Sequence, residues 1–181
     1  MKPHSYSSEG IVLARRHFGE ADRILVLYTK NFGRISLIAK GVRRPKSRKR
    51  GHIEVFNYLR FQAIHGRGLD LMTEAEVIED FAEIRKNLRR VSLAYYFAEV
   101  LGRITHENEP NDEIFDLVLD HLESLKTIKR LKVLRMDFVR KLLVLMGYWP
   151  GGEGLDDPDK KLEEVIERQI ASVRVGKRMV E

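Results

Sequence analysis

The spacing of apolar and polar positions divides the chain into two halves of different period. Between Ser7 and Ile78, apolar residues come in short runs separated by turns rich in glycine and charge. The runs are Ser7–Arg16 around Ile11-Val12-Leu13, then Arg23–Thr29, Arg34–Ala39, Ile53–Ala63 and Leu69–Ile78. Each has strand length, and Arg34–Ala39 begins with the alternation of a half-buried strand. In the last run Leu71, Thr73, Ala75 and Val77 are expected on one face. Turns fall at His17–Asp22, Lys30–Gly33 and His65–Gly68, the last a hairpin by its two glycines. Five strands with short turns in about eighty residues predict a small closed barrel of the OB type.

Beyond residue 81 the period changes to three and four. Ile84, Leu88, Val91, Tyr95, Ala98 and Leu101 predict one core-facing helical stripe. Ile114, Leu117, Val118, His121, Leu122 and Leu125 predict a second, capped by Asn111 or Asp112. Leu131, Leu134, Phe138, Leu142 and Leu145 predict a third, stopped by Gly147 and Pro150. Residues 151–159 read as a flexible linker, and Leu162, Val165, Ile166, Gln169, Ile170 and Val173 as a last helix. The expected fold is α+β: a five-stranded OB-fold β-barrel over residues 1–81, followed by an α-helical domain over residues 82–181.

Charge distinguishes the two halves. The net charge of +6 lies wholly in residues 1–80, with 15 Lys+Arg against 9 Asp+Glu; the remainder carries 18 of each. Much of the excess sits in Lys40–His52, where every charged residue from Lys40 to Arg50 is positive. Gly41, Pro45 and Gly51 exclude a helix interior there, so this is a cationic loop between two strands. A solvated basic run is the plain explanation; contact with a polyanion is the one favoured here. Lys40, Arg43, Arg44, Lys46, Arg48, Lys49 and Arg50 are the candidate phosphate contacts, with Arg15, Arg16 and Arg34 on nearby strand ends.

Candidate chemistry is otherwise sparse. There is no cysteine, so disulfides, thiolate metal sites and a cysteine nucleophile are excluded. The six histidines show no zinc-helix spacing, and no nucleophile-elbow or phosphate-loop pattern occurs. His106–Glu109 reads as a solvated helix end, Asp156–Asp159 as an acidic linker and His121 as a satisfied core histidine. Phe32, Phe56, Tyr58 and Phe61 lie on or beside strands, where core packing competes with base stacking. Trp149 reads as a packing anchor. No signal peptide and no membrane-length apolar run is visible, so no membrane role is expected.

Several of these segments together resemble a known family. Glu9–Leu13, Gly19–Leu25, the run Gly33–Ser47, Gly51–Phe56 and Gly66–Asp70 are similar, in order, to the N-terminal part of the bacterial recombination mediator RecO. The likeness is dense over residues 7–90, thins along the helices and returns at Gly147–Pro150. It implies an OB-fold that binds single- and double-stranded DNA and anneals complementary strands, without covalent chemistry. It also implies work with RecR and single-strand-binding protein to place RecA on coated strands, in the cytoplasm at the nucleoid. Capture of an acidic, apolar-tipped tail of single-strand-binding protein is implied for the helical domain, and Lys129, Arg130, Leu131, Lys132, Leu134 and Arg135 offer apolar groups beside cations. An ordinary amphipathic helix with solvated cations explains that pattern slightly better. An RNA-binding or ribosome-associated OB protein fits the barrel and loop equally well, because backbone electrostatics do not name the sugar. A nuclease would need clustered carboxylates, which the first half does not offer.

Many family members carry a four-cysteine zinc motif after the segment matching Gly147–Pro150. This chain has no cysteine, and no histidine after His121, so zinc is not carried over and no cofactor is expected. Untagged protein should therefore contain no stoichiometric zinc, and a chelator should leave its melting transition where it was. Zinc at one per chain, with a transition abolished by chelator, would contradict this.

Overall fold

The five runs of the first half close on themselves. The computed structural model describes residues 5–47 and 51–167. The strands are β1 (Ser5–Phe18), β2 (Asp22–Thr29), β3 (Gly33–Ala39), β4 (Tyr58–Ile64) and β5 (Asp70–Glu79), in barrel order β1-β2-β3-β5-β4. This is the expected α+β, OB-type barrel followed by helices. The long β1 serves two neighbours, pairing with β2 through Gly10–Phe18 and with β4 through Ser5–Ile11. A bulge eases that change of partner: Val12 pairs with Leu27 and Ala14 with Val26, so Leu13 is left over. Val12 joins the barrel core, and Leu13, also buried, lies 3.9 Å from where a Cβ on Gly102 would sit. The unbroken run Ile11-Val12-Leu13 thus reflects a strand covered on both faces.

The barrel closes weakly on one side. β3 and β5 run parallel and pair only at Leu37 with Asp70 and Ile38 with Leu71. Val42 and Ile53, from the loop between β3 and β4, enter the same core as Leu25, Leu37 and Phe61. The expected strand Ile53–Ala63 therefore begins only at Tyr58. Phe56 adopts a left-handed backbone (φ 58°), donates its N–H to Val12 O at 2.7 Å and is buried. Asn57, 1% exposed, donates through Nδ2 to His52 O at 2.9 Å and accepts from Arg85 Nη2 at 2.6 Å. Arg85 also donates to Val55 O at 3.0 Å and stacks 4.1 Å over the Phe56 ring. Along β5 a register shift opposite Gln62/Ala63 buries Met72 and exposes Thr73. The expected face Leu71-Thr73-Ala75-Val77 is thereby broken at Thr73.

The first helical stripe is corrected as well. The segment forms two helices, α1 (Ala82–Arg85) and α2 (Leu88–Ile104), because Asn87 accepts from the N–H groups of Arg89 and Arg90 and starts a new helix. That break resets the phase: Leu88 is 81% and Tyr95 48% exposed, while Leu93, Ala94, Phe97, Ala98, Leu101 and Ile104 are buried. α3 (Asp112–Leu125) follows the reading, with Asn111 Oδ1 accepting from Ile114 N–H at 3.0 Å and the whole expected stripe buried. His121 is 4% exposed, with Nδ1 2.7 Å from Leu117 O. Between α2 and α3, Asn108 donates to Arg34 O at 3.0 Å, so the backbone of 107–109 runs along β3, and these residues are exposed. Gly33 (φ 64°) permits this, since a Cβ there would lie 2.3 Å from Glu109 O. Lys126 ties the end of α3 to the end of β5 through Glu123 at 2.8 Å and Glu79 at 2.9 Å. Burial alone would push that ammonium down, but the two carboxylates outweigh it and raise its pKa.

The barrel and α1–α3 form one compact unit, residues 1–127, which extends past the change from strand to helix; residues 128–181 form another. In the second unit α4 (Leu131–Leu145) buries Leu134, Phe138, Val139, Leu142 and Leu143. Gly147 (φ 75°) ends it, with Tyr148 N–H on Leu143 O at 2.8 Å. Residues 158–167 are helical, and Leu162 and Val165 are buried. Arg135 pairs with Asp159 at 2.8 Å, and Lys161 lies 6.0 Å over the Trp149 ring. Gln169, Ile170 and Val173 of the expected last helix lie outside the described residues.

Asn57 joins loop, bulge and α1. Asn57→Ala leaves the Gly51 and His52 carbonyls and the Arg85 guanidinium short of a partner, and should cost about 2–3 kcal/mol in urea unfolding. A loss under about 0.5 kcal/mol, typical of a surface change, would refute this role.

Candidate nucleic-acid interface

One end of the barrel brings Arg16, Lys40, Arg43, Arg44 and Lys46 together. The β1–β2 turn and the root of the long loop meet there, because Phe18 pairs with Asp22 and Arg23 with Ala39. Gly41, in the left-handed region (φ 65°), turns the chain out of β3 and donates its N–H to Asp22 at 2.7 Å. Val42 then plunges into the core at 0% exposure. Arg43 donates its backbone N–H to Ala21 O at 2.9 Å and its guanidinium to Glu20 O at 3.0 Å. The loop is rooted at its far end too: Val77 N–H donates to His52 Nδ1 at 3.3 Å. A buried anchor and backbone hydrogen bonds hold the loop's base, leaving its charged tips outward.

Lys40, Arg43, Arg44 and Lys46 are exposed at this end, with Arg16 on the adjoining part of β1. Among the described residues, no ion pair joins any of these five to a carboxylate. The bond from Arg43 to the Glu20 carbonyl orients its guanidinium without neutralising it. Arg48, Lys49 and Arg50 lie outside the described residues. Two other candidates behave differently. Arg15 is paired with Glu54 at 2.5 Å, and Arg23, which was not singled out, approaches the same carboxylate at 3.8 Å. Arg34 sits at the opposite end of β3, six residues and about 20 Å of extended chain from Lys40. Its Nε is buried without a hydrogen-bond partner.

The aromatic candidates are mostly structural. Phe61 fills the barrel, and Phe56 lies edge-on to Tyr95 at 5.6 Å. Tyr58 donates to Glu9 at 2.5 Å and meets Phe115 at 6.0 Å; burial and that carboxylate push its pKa up to about 12. Phe32 packs edge-on against Tyr6 at 4.8 Å beside a cleft that periodicity could not reveal. Phe18 at the end of β1, 48% exposed, is an aromatic at the cationic end that the sequence reading did not single out. In the second unit Lys129, Arg130 and Lys132 are exposed, Leu131 is half-buried, Leu134 is 7% exposed and Arg135 is held by Asp159. Leu134 thus cannot offer a surface to a partner as α4 stands. Among the described residues no group of three or more His, Asp or Glu side chains converges as a metal site, and none of the helices is long and apolar enough to cross a membrane.

Comparison with known proteins agrees with this architecture. The family model for the N-terminal part of recombination protein O matches residues 1–81, and that for its C-terminal part matches residues 85–151. DNA repair protein RecO of Pelotomaculum thermopropionicum is 41% identical over 145 residues, which cover 80% of this chain and 56% of that protein. DNA repair protein RecO of Dehalococcoides mccartyi (strain 195) is 35% identical over 82% of this chain and 59% of its own length. That of Rubrobacter xylanophilus is 39% identical over 82% of this chain and 60% of its own length. The chain therefore spans under two thirds of the length of these relatives.

Arg15 and Arg16 are adjacent, yet only Arg15 already has a carboxylate. Arg16→Gln should lower the slope of log affinity against log salt for single-stranded DNA by about 0.7, one phosphate contact. Arg15→Gln should lower it by less than half as much. Equal losses would mean that Glu54 does not withhold Arg15 from the ligand.

Proposed function

The chain belongs to the recombination protein O family, and on that footing we propose that it is a DNA-binding mediator of recombinational repair. The observation that carries this reading is the end of a closed barrel where Arg16, Lys40, Arg43, Arg44 and Lys46 stand exposed without carboxylate partners. Such a surface exchanges condensed counterions for protein charge, which favours any strand and either single or double helix. The barrel, residues 1–81, is the DNA-binding module in this reading; Arg48, Lys49 and Arg50 would extend its loop, and residues 82–181 would serve packing and partners. Two complementary strands repel through their phosphates. A surface that neutralises both lets their bases meet and zip by their own pairing, so annealing needs no bond made or broken by the protein. The role is therefore non-catalytic.

The family resemblance supports the finer assignment: action with RecR, displacement of single-strand-binding protein, and delivery of the strand to RecA, in the cytoplasm at the nucleoid. For the contact with single-strand-binding protein, exposed Lys129, Arg130, Lys132 and Val133 on and before α4 present cations around an apolar group. An acidic tail with an apolar tip fits that chemistry. RNA would satisfy the loop's electrostatics too, so binding to DNA and RNA of equal length and sequence should be compared directly.

Replacing Arg43, Arg44 and Lys46 with Gln should lower the salt slope for single strands by about two and slow annealing with it. A folded triple variant with an unchanged slope would place the DNA elsewhere. For the second surface, calorimetry with an acidic tail peptide should show at least about tenfold weaker binding to Arg130→Glu with Lys132→Glu than to wild type. Equal affinities would move that site off α4.

A further inference from the structure

At the end of the barrel away from the basic loop lies a cleft of about 550 Å³ that the phosphate-binding reading does not use. Its walls are Tyr6 at the start of β1, Phe32 and Arg34 beside and on β3, and His65 and Asp70 flanking the β4–β5 hairpin turn. The His65 ring stacks on Tyr6 at 5.1 Å and 29°, and Phe32 meets Tyr6 edge-on at 4.8 Å. Asp70 organises the group: Tyr6 OH donates to Oδ2 at 2.7 Å, Gly66 N–H to Oδ1 at 3.1 Å, and His65 Nδ1 lies 3.2 Å from Oδ2. Burial and this carboxylate raise the Tyr6 pKa, which keeps the phenol a donor to Asp70. The stack has a free end, because the His65 side chain is 42% exposed.

Charge decides which part of a nucleotide belongs here. Arg34 lines the cleft and brings one positive charge. Asp70 and Glu107 bring two carboxylates to the same walls. A phosphate would meet net repulsion. A neutral, planar group with a carbonyl next to an amine would instead find a donor in Arg34, acceptors in the carboxylates and an aromatic stack to lie on.

We propose that this cleft is a base-reading subsite for a single unstacked guanine or cytosine of a strand whose phosphates are held at the cationic end. Thymine has carbonyls for Arg34 and one ring N–H but no exocyclic amine, so it forgoes the amine contact to a carboxylate. The inference rests on the DNA-binding reading, and it adds to it: a barrel that grips backbone at one end samples base identity at the other, so the strand is held with a preferred register rather than sliding freely.

The test uses the full chain and three single strands: a 15-mer of dT, the same with one central dG, and the same with one central dC. Fluorescence anisotropy should show the dG or dC strand binding at least about fivefold tighter than dT, with the same salt slope, since phosphates are equal in all three. In Arg34→Met and in His65→Ala the ratio, read within each variant, should fall below about twofold. Equal affinities of the three strands for wild type would overturn the subsite while leaving phosphate binding intact. A preference that survives in both variants would overturn the assignment to this cleft. Failure of wild type to bind dT at all would instead sink the DNA-binding reading itself.

Discussion

Closure of the barrel between β3 and β5 is the constraint on which the rest depends. Two residue pairs join those strands, too few to seal a core that holds Leu37, Phe61 and Met72. The loop from β3 to β4 completes the seal by sending in Val42 at one end and Ile53 at the other. Burial of those side chains, with the hydrogen bonds of Gly41, Arg43 and Asn57, fixes where the loop leaves and re-enters the barrel. Among the described residues, Arg43, Arg44 and Lys46 are thereby displayed at one end. The apolar anchors and the cations are parts of one device: folding places the binding surface, and no separate element is needed to present it.

The same economy explains how α1 and α2 attach. Phe56 in a left-handed conformation and the Leu13 bulge offer outward apolar surface that a regular strand pair would not. Arg85 of α1 reads that irregularity through Val55, Asn57 and the Phe56 ring, and the α2 residues Tyr95, Ala98 and Gly102 stand over Leu13 and Ala14 across a space of about 320 Å³. The helices are then coupled to the loop's far root.

Much of this was legible in one dimension. Short apolar runs between turns located all five strands, and the stripe from Ile114 to Leu125 with its Asn111 cap survives intact in α3. These are local signals, set by period and capping. What failed was decided by neighbours distant in sequence. Ile53–Asn57 has strand-like residues, but the closure gap required a plug. Leu88 and Tyr95 kept the helical period, yet the Asn87 cap restarted the helix and turned them outward. Of the candidate cations, charge alone could not reveal that Glu54 faces Arg15, nor that β3 carries Arg34 to the far end. The Tyr6–His65–Asp70 group joins residues more than sixty positions apart and left no sequence signal.

The proposed grip on DNA lies at the end of the barrel where the β1–β2 turn meets the root of the basic loop. Hydrogen exchange with and without a single-stranded oligonucleotide tests it without altering the protein. Backbone amides in residues 16–22 and 40–47 should exchange more slowly on DNA binding, with α3 unchanged. Protection concentrated in α3 or α4, with the turn and loop unaffected, would contradict it.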